Sequence, residues 1–97
     1  MDYKLRWSKE SISDLEDILS YLSNNWSERT VNKFKKKLNR ELDLIIQNPF
    51  MFPKSSFNPE LRKAVLSKQT SIFYQIKDNT VFLVHIFVNT QSIERLK

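Results

Sequence analysis

Few residues of this chain could take part in catalysis or metal binding. The chain has no cysteine, which excludes a disulfide framework, a thiolate nucleophile and a thiolate metal site. His85 is the only histidine, and one histidine cannot form a zinc site alone, so neither a metal nor a cofactor is expected. His85 could serve as a general base, but a lone histidine in an apolar strand is more often a structural residue.

Phosphate binding is a second chemistry that the residues allow. A predicted helix places five cations on one face: Arg29, Lys33, Lys36, Lys37 and Arg40. A solvated basic face is the more common explanation, since no aromatic side chains are interleaved with these cations as they are in single-strand binding sites. The net charge of +5 lies entirely after Trp26. Such an excess suits nucleic acid or an acidic protein segment, and composition does not choose between them.

Periodicity predicts the elements of the first half. Tyr3, Leu5 and Trp7 alternate with Lys4 and Arg6 as in a half-buried strand. Two helices follow, with Ser8 and Ser27 as N-caps, and Pro49 ends the second. The first is expected to bury Ile12, Leu15, Ile18, Leu19, Leu22 and Trp26 and to expose Glu10, Asp14 and Asp17 to solvent. The second is expected to bury Val31, Phe34, Leu38, Leu42 and Ile45.

The second half is rich in strands. A packed loop over residues 49–59 leads to strand-like runs at 61–66, 70–77 and 80–88, and a tight turn at Asp78 and Asn79 joins the last two as a hairpin. The predicted class is α+β. An N-terminal strand, a helix hairpin and a three-stranded antiparallel meander form one small sheet packed on the two helices, in a single domain over residues 1–97.

The last strand is apolar on both faces. Strict alternation places Val81, Leu83, His85 and Phe87 on one face, and Phe82, Val84, Ile86 and Val88 on the other. The helices can cover one face of the sheet only. The loop over residues 49–59 and the C-terminal tail could cover part of the other, and a separate polypeptide is expected to cover the rest.

Taken together, five features resemble the RelE/ParE superfamily of bacterial type II toxins, and ParE-like members more than RelE-like ones. They are the opening strand ending in Trp-Ser, the helix "DLEDILSYLSNNWS", the segment "LIIQNPFMFPK", the strand "LRKAVL", and the hairpin "IFYQIKDNTVFLVHIFVNTQ". The resemblance covers essentially the whole chain. It implies a toxin that forms a hetero-oligomer with a cognate, acidic antitoxin, whose binding residues would be Phe82, Val84, Ile86 and Val88.

The resemblance also implies two alternative activities. ParE-like members inhibit DNA gyrase, and RelE-like members cleave messenger RNA in the ribosome with Arg, Lys and Tyr side chains. Here Ser71 and either Thr90 or Gln91 occupy positions where RelE-like members have arginine, and no tyrosine follows. We therefore expect gyrase inhibition without catalysis, with Arg62, Gln91 and Arg95 as target-binding residues.

Two other activities stay open. One is a ribosome-dependent mRNA endonuclease with a non-standard active site, for which His85, Tyr74 and Arg62 are the candidate catalytic residues. The other is a non-toxic remnant that only binds an antitoxin. Tyr74 is expected mainly to pack, and Arg62 could equally limit aggregation at a strand edge.

The sequence favours a cytoplasmic protein with no membrane partner. The N-terminal segment "MDYKLRWSKES" is charged and lacks the apolar region of a secretory signal. The apolar runs are far shorter than the roughly 18 residues that a bilayer-spanning helix needs.

Overall fold

Two helices and four strands make up the fold of this computed structural model, which describes residues 3–56 and 58–88. The order is β1 (Lys4–Trp7), α1 (Lys9–Asn25), α2 (Glu28–Gln47), β2 (Arg62–Val65), β3 (Thr70–Lys77) and β4 (Thr80–Val88). The strands form one sheet in the order β1-β4-β3-β2, which confirms the α+β class. The last three strands form the antiparallel meander, while β1 pairs with β4 in parallel. Neither described helix is long and apolar enough to cross a membrane.

Short polar residues begin both helices and form the β3–β4 turn at the positions that the sequence predicts. The Ser8 hydroxyl accepts from the backbone N–H of Ser11 at 3.0 Å and caps α1. Ser27 caps α2 in the same way through the N–H of Thr30 at 3.2 Å. In the β3–β4 turn, Asp78 takes a φ of 56°, a left-handed conformation that aspartate tolerates better than most residues. The caps and the turn are therefore confirmed.

The core lies between α2 and one face of the sheet. The apolar stripe of α2 is buried as predicted at Val31, Leu38, Leu42 and Ile45, and Phe34 is half-buried. For α1 the prediction is wrong at Ile12, which is 45% exposed while its neighbour Ser11 is fully buried, and the other five residues of the predicted stripe are only half-buried. The N–H of Ser8 donates to the carbonyl of Leu83 at 3.0 Å. This contact holds the first turn of α1 so close to β4 that a small side chain packs there.

A β-bulge in β4 overturns the predicted alternation of this strand. Phe73 of β3 pairs with His85, and the next residue, Tyr74, pairs with Leu83, so Val84 is the extra residue. An extra residue reverses the side-chain alternation beyond it. Ile86 and Val88 therefore share the helix-side face with Val81 and Leu83, while His85 and Phe87 lie on the opposite face with Phe82.

Asp14 of α1 closes part of the open edge of β4. The parallel pairing ends at Trp7 and Leu83, which leaves the second half of β4 without a neighbouring strand on that side. The Asp14 carboxylate accepts from the N–H of Ile86 at 3.0 Å and lies 3.1 Å from Nδ1 of His85. The Ser8 hydroxyl donates to the carbonyl of Val84 at 2.9 Å. Asp14 is thus a half-buried structural residue, and its predicted place on a solvated face is wrong.

We expect Asp14→Ala to lower the free energy of unfolding by about 1–2 kcal/mol, because the substitution leaves the N–H of Ile86 without its charged acceptor. Glu16→Ala is the matched control, since Glu16 is an exposed acid of the same helix. Asp14→Asn keeps a carbonyl acceptor and should cost less. Urea denaturation measures all three, and equal losses in Asp14→Ala and Glu16→Ala would contradict the edge-closing role.

Candidate functional site

The three candidate catalytic residues do not converge. Arg62 pairs with Tyr74, and Tyr74 with Leu83, so Arg62 and Tyr74 belong to the helix-side face of the sheet. His85 pairs with Phe73 on the other face. Directly opposed residues of neighbouring strands share a face, so the sheet separates His85 from the other two. This arrangement does not bring a base, an acid and a cation to one phosphate.

Tyr74 has the surroundings of a structural tyrosine. Its ring is fully buried, and its hydroxyl donates to the carbonyl oxygen of Pro49. Burial raises the pKa of Tyr74 to about 12; the nearby Arg62 guanidinium lowers it and Glu41 raises it further. At neutral pH the hydroxyl is therefore a hydrogen-bond donor and not a base.

Arg62 holds the loop that follows α2. Its guanidinium donates to the carbonyl oxygens of Phe52 at 2.6 Å and Phe50 at 3.4 Å, and it lies 5.1 Å from the centre of the Phe50 ring. Phe50 is nevertheless 58% exposed, and the next residue, Met51, is 53% exposed. The Tyr3 ring meets the edge of Phe50 at 6.3 Å. We call Tyr3, Phe50, Met51 and Arg62 the Phe50 patch, in which Phe50 and Met51 are exposed and Tyr3 and Arg62 are half-buried. These residue types are common in protein interfaces.

An open groove lies between the two helices and the C-terminal end of β4. Its volume is about 530 Å³, within the range of ligand and peptide sites. Side chains of α1, α2, β4 and the β2–β3 turn line it, including Ile18, Tyr21, Leu22, Trp26, Phe34, Ile86 and Val88. Asp14 and Asp17 line the α1 side, while Lys33 and Lys37 line the α2 side. The groove is thus apolar inside, with opposite charges on its two rims.

The sheet face turned away from the helices is the second large surface, which we call the outer face. Phe73 is buried there and Phe82 is half-buried, but Phe87 is 59% exposed. By strand pairing the exposed cations Lys4, Arg6, Lys63 and Lys77 lie on this face. The described residues of the outer face include no aspartate or glutamate. Apolar side chains surrounded by unopposed cations fit an acidic polypeptide with apolar anchors.

The predicted antitoxin-binding residues divide between the two surfaces. Phe82 belongs to the outer face, whereas Ile86 and Val88 line the groove. Val84 is the extra residue of the bulge and has no partner in β3, so the pairing does not assign it a face. The bulge lies between these two groups of residues, so the two surfaces meet at the free edge of β4. Gln91 and Arg95, two of the predicted target-binding residues, lie outside the described residues.

Sequence reasoning did not select several residues of these surfaces. It treated Lys4 and Arg6 only as the solvated side of β1, although their alternation with Leu5 already placed both on one face. The groove residues Tyr21 and Phe34 carry no such signal, because only the packing of the helices leaves space beside them.

Comparison with known proteins gives one family match and several structures of the same fold. The family model for the "ParE toxin of type II toxin-antitoxin system, parDE" matches residues 5–92. No curated protein sequence matches the chain significantly. A chromosomal ParDE system structure from P. aeruginosa superposes with a TM-score of 0.76 at 16% identity, over 89% of this chain and 95% of that one.

Two further solved structures have the same fold. A YoeB/ParE toxin from Agrobacterium tumefaciens gives a TM-score of 0.65 at 14% identity, over 89% of this chain and 98% of that one. The RelBE2 toxin-antitoxin complex from Mycobacterium tuberculosis gives a TM-score of 0.61 at 15% identity, over 92% of this chain and 100% of that one. At such identities the superpositions establish the fold alone.

We expect Tyr74→Phe to lower the free energy of unfolding by about 1–2 kcal/mol at pH 7, because the buried Pro49 carbonyl loses its donor. The folded pKa of about 12 exceeds the ordinary value of 10.0, so the unfolded chain releases this proton first. The free energy of unfolding of the wild type therefore keeps its full value below pH 10 and falls as the pH rises through 12, by up to about 3 kcal/mol, because the ionised side chain is buried.

Tyr74→Phe lacks this loss, so its stability should fall less steeply than that of the wild type over the same pH range. Urea denaturation at several pH values measures the difference, with Tyr3→Phe as the control for a half-buried tyrosine. Parallel pH dependences for the wild type and Tyr74→Phe would contradict the assignment.

Proposed function

Because this chain belongs to the ParE toxin family of type II toxin-antitoxin systems, we propose that it binds a cognate acidic antitoxin and inhibits DNA gyrase by occupying a surface of the enzyme. The observation that carries the proposal is the family match over residues 5–92 together with the separation of His85 from Arg62 and Tyr74. We infer action by binding because the three candidate catalytic residues, all of them described, do not share one face of the sheet.

The antitoxin would use the groove and the outer face together. Apolar side chains of the antitoxin enter the groove, which already exposes Ile18, Leu22 and Val88 to an incoming segment. The antitoxin segment then passes around the free edge of β4 and reaches Phe82 and Phe87. Lys4, Arg6, Lys63 and Lys77 provide unopposed positive charge for its acidic residues, since the described outer face has no acid of its own.

The Phe50 patch is the proposed contact with the target. Exposed aromatic and arginine side chains supply most of the binding energy in many protein interfaces. Arg62 is one of the predicted target-binding residues, and its hydrogen bonds to the carbonyls of Phe50 and Phe52 keep the patch in place. Gln91 and Arg95 remain proposed target-binding residues from the tail.

The groove is tested by placing charge in it. We expect Ile18→Glu combined with Leu22→Glu to weaken antitoxin binding by at least about a hundredfold, because each apolar contact is worth roughly 1.5–3 kcal/mol. Ile12→Glu is the matched control, since Ile12 is an exposed apolar residue of the same helix that does not line the groove. Affinity for the product of the neighbouring reading frame is measured by calorimetry, and circular dichroism verifies folding.

Retained affinity in the folded double variant would contradict the groove assignment. Equal losses in the double variant and in Ile12→Glu would contradict it as well, because the effect would then not depend on the groove.

The target is tested with purified gyrase. We expect the chain to inhibit DNA supercoiling, the antitoxin to relieve this inhibition, and induced expression to arrest growth while transcripts stay intact. Phe50→Ser should reduce the inhibition about tenfold or more, because it removes the main aromatic anchor of the patch. Val65→Ser is the control, since Val65 on β2 is 59% exposed and Phe50 is 58% exposed.

Growth arrest with cleaved transcripts would instead identify a ribosome-dependent nuclease and overturn the gyrase proposal. An absence of growth arrest would identify a non-toxic binding protein. Inhibition that is unchanged in Phe50→Ser would contradict the role of the patch and leave the gyrase proposal standing.

A further inference from the structure

The solvent side of α2 carries a straight row of four cations, with an exposed acid, Asp43, beyond its C-terminal end. Arg29, Lys33, Lys36 and Arg40 are all exposed, and at the helical repeat they fall within about 60° of arc along about 16 Å of the helix axis. The only ion pair among the described residues joins His85 and Asp14, so none of the four cations pairs with an acid. We call these four residues the α2 row.

An ordinary solvated helix face does not have this pattern. Exposed helices usually alternate charges of both signs, and pairs of opposite charge three or four residues apart stabilise them. Within the α2 row each cation has another cation three or four residues away, and like charges so placed destabilise the helix; only Arg40 has an acid, Asp43, at that spacing. A polyanion bound along the row would remove this repulsion.

The surroundings of the row indicate which polyanion. A protein interface needs apolar or aromatic anchors, and a single-stranded nucleic acid needs aromatic rings on which bases stack. The row has neither, because Phe34 lies on the other side of α2, in the groove. A duplex presents one phosphate per about 3.4 Å of axis on each strand, so a row about 16 Å long can lie beside several consecutive phosphates.

We propose that the α2 row binds the phosphate backbone of duplex nucleic acid without reading its sequence. Side chains of Arg29, Lys36 and Arg40 do not line the groove, and the row does not include any residue of the outer face. Lys33 also lies on the rim of the groove, so the other three cations define the part of the duplex site that is separate from the proposed antitoxin and gyrase surfaces. The full chain can be tested with DNA alone.

The test compares two variants of equal charge. The row variant replaces Arg29, Lys36 and Arg40 with Gln and leaves Lys33 in place because it lines the groove, and the outer-face variant replaces Arg6, Lys63 and Lys77 with Gln. Both remove the same number of positive charges from a chain of net charge +5, so long-range attraction to DNA falls equally. Fluorescence anisotropy measures binding to a DNA duplex of about 20 base pairs and to its single strand over a range of salt concentrations.

We expect the row variant to bind the duplex at least about tenfold more weakly and the slope of log K against log salt to shrink by about 2–3, at roughly 0.9 per lost phosphate contact. The outer-face variant should keep most of its duplex affinity. The row variant should keep its antitoxin affinity, and the outer-face variant should lose much of it. Each variant then retains one of the two binding activities, which shows that it is folded.

Equal losses of duplex affinity in the two variants would overturn the proposal, because binding would then follow net charge only. Tighter binding of the single strand, lost in the outer-face variant, would also overturn it and would indicate base stacking on Phe82 and Phe87. A failure of either kind leaves the gyrase and antitoxin proposals unaffected, since neither depends on the α2 row.

Discussion

The β-bulge in β4 is the constraint on which the surfaces of this protein depend. A regular strand would direct Ile86 and Val88 to the face opposite Val81 and Leu83. With Val84 inserted opposite Phe73, the strand instead supplies apolar side chains to the core in its first half and to the groove in its second half. One extra residue thus allows the apolar side chains of one strand to contact the core in its first half and to line the groove in its second half.

The bulge lies where the sheet changes its lateral support. Up to Leu83, β4 is paired with β1; beyond it, the first half of α1 replaces the missing strand through Ser8 and Asp14. A charged acceptor at a strand edge satisfies a backbone donor and also discourages the addition of another strand. α1 follows this edge, and the groove is lined by α1, α2 and the end of β4.

Electrostatics separates the surfaces as clearly as their position does. The groove has acids on its α1 rim and lysines on its α2 rim, while the described outer face carries cations around apolar side chains. The α2 row carries cations with no apolar residue among them. Interfaces between proteins need apolar anchors and phosphate contacts do not, so the same net charge of +5 supports two different kinds of partner.

The sequence by itself determined the features that depend on neighbours along the chain. The caps Ser8 and Ser27, the stripe of α2, the turn at Asp78 and the order of the elements follow from local hydrogen bonding and periodicity, and the ordered motifs were enough to identify the family. The prediction that another polypeptide must cover part of the last strand also came from residue types alone.

Only the tertiary structure decided where those residues face. A bulge is a mismatch in length between two strands, and neither strand shows it by itself, so the faces of Ile86, Phe87 and Val88 could not be derived by counting. The parallel placement of β1, the burial of Ser11 and the bond from Asp14 to Ile86 likewise depend on contacts between segments distant in sequence. The amino-acid types specify which side chains need cover, and the packing of strands and helices decides what provides it.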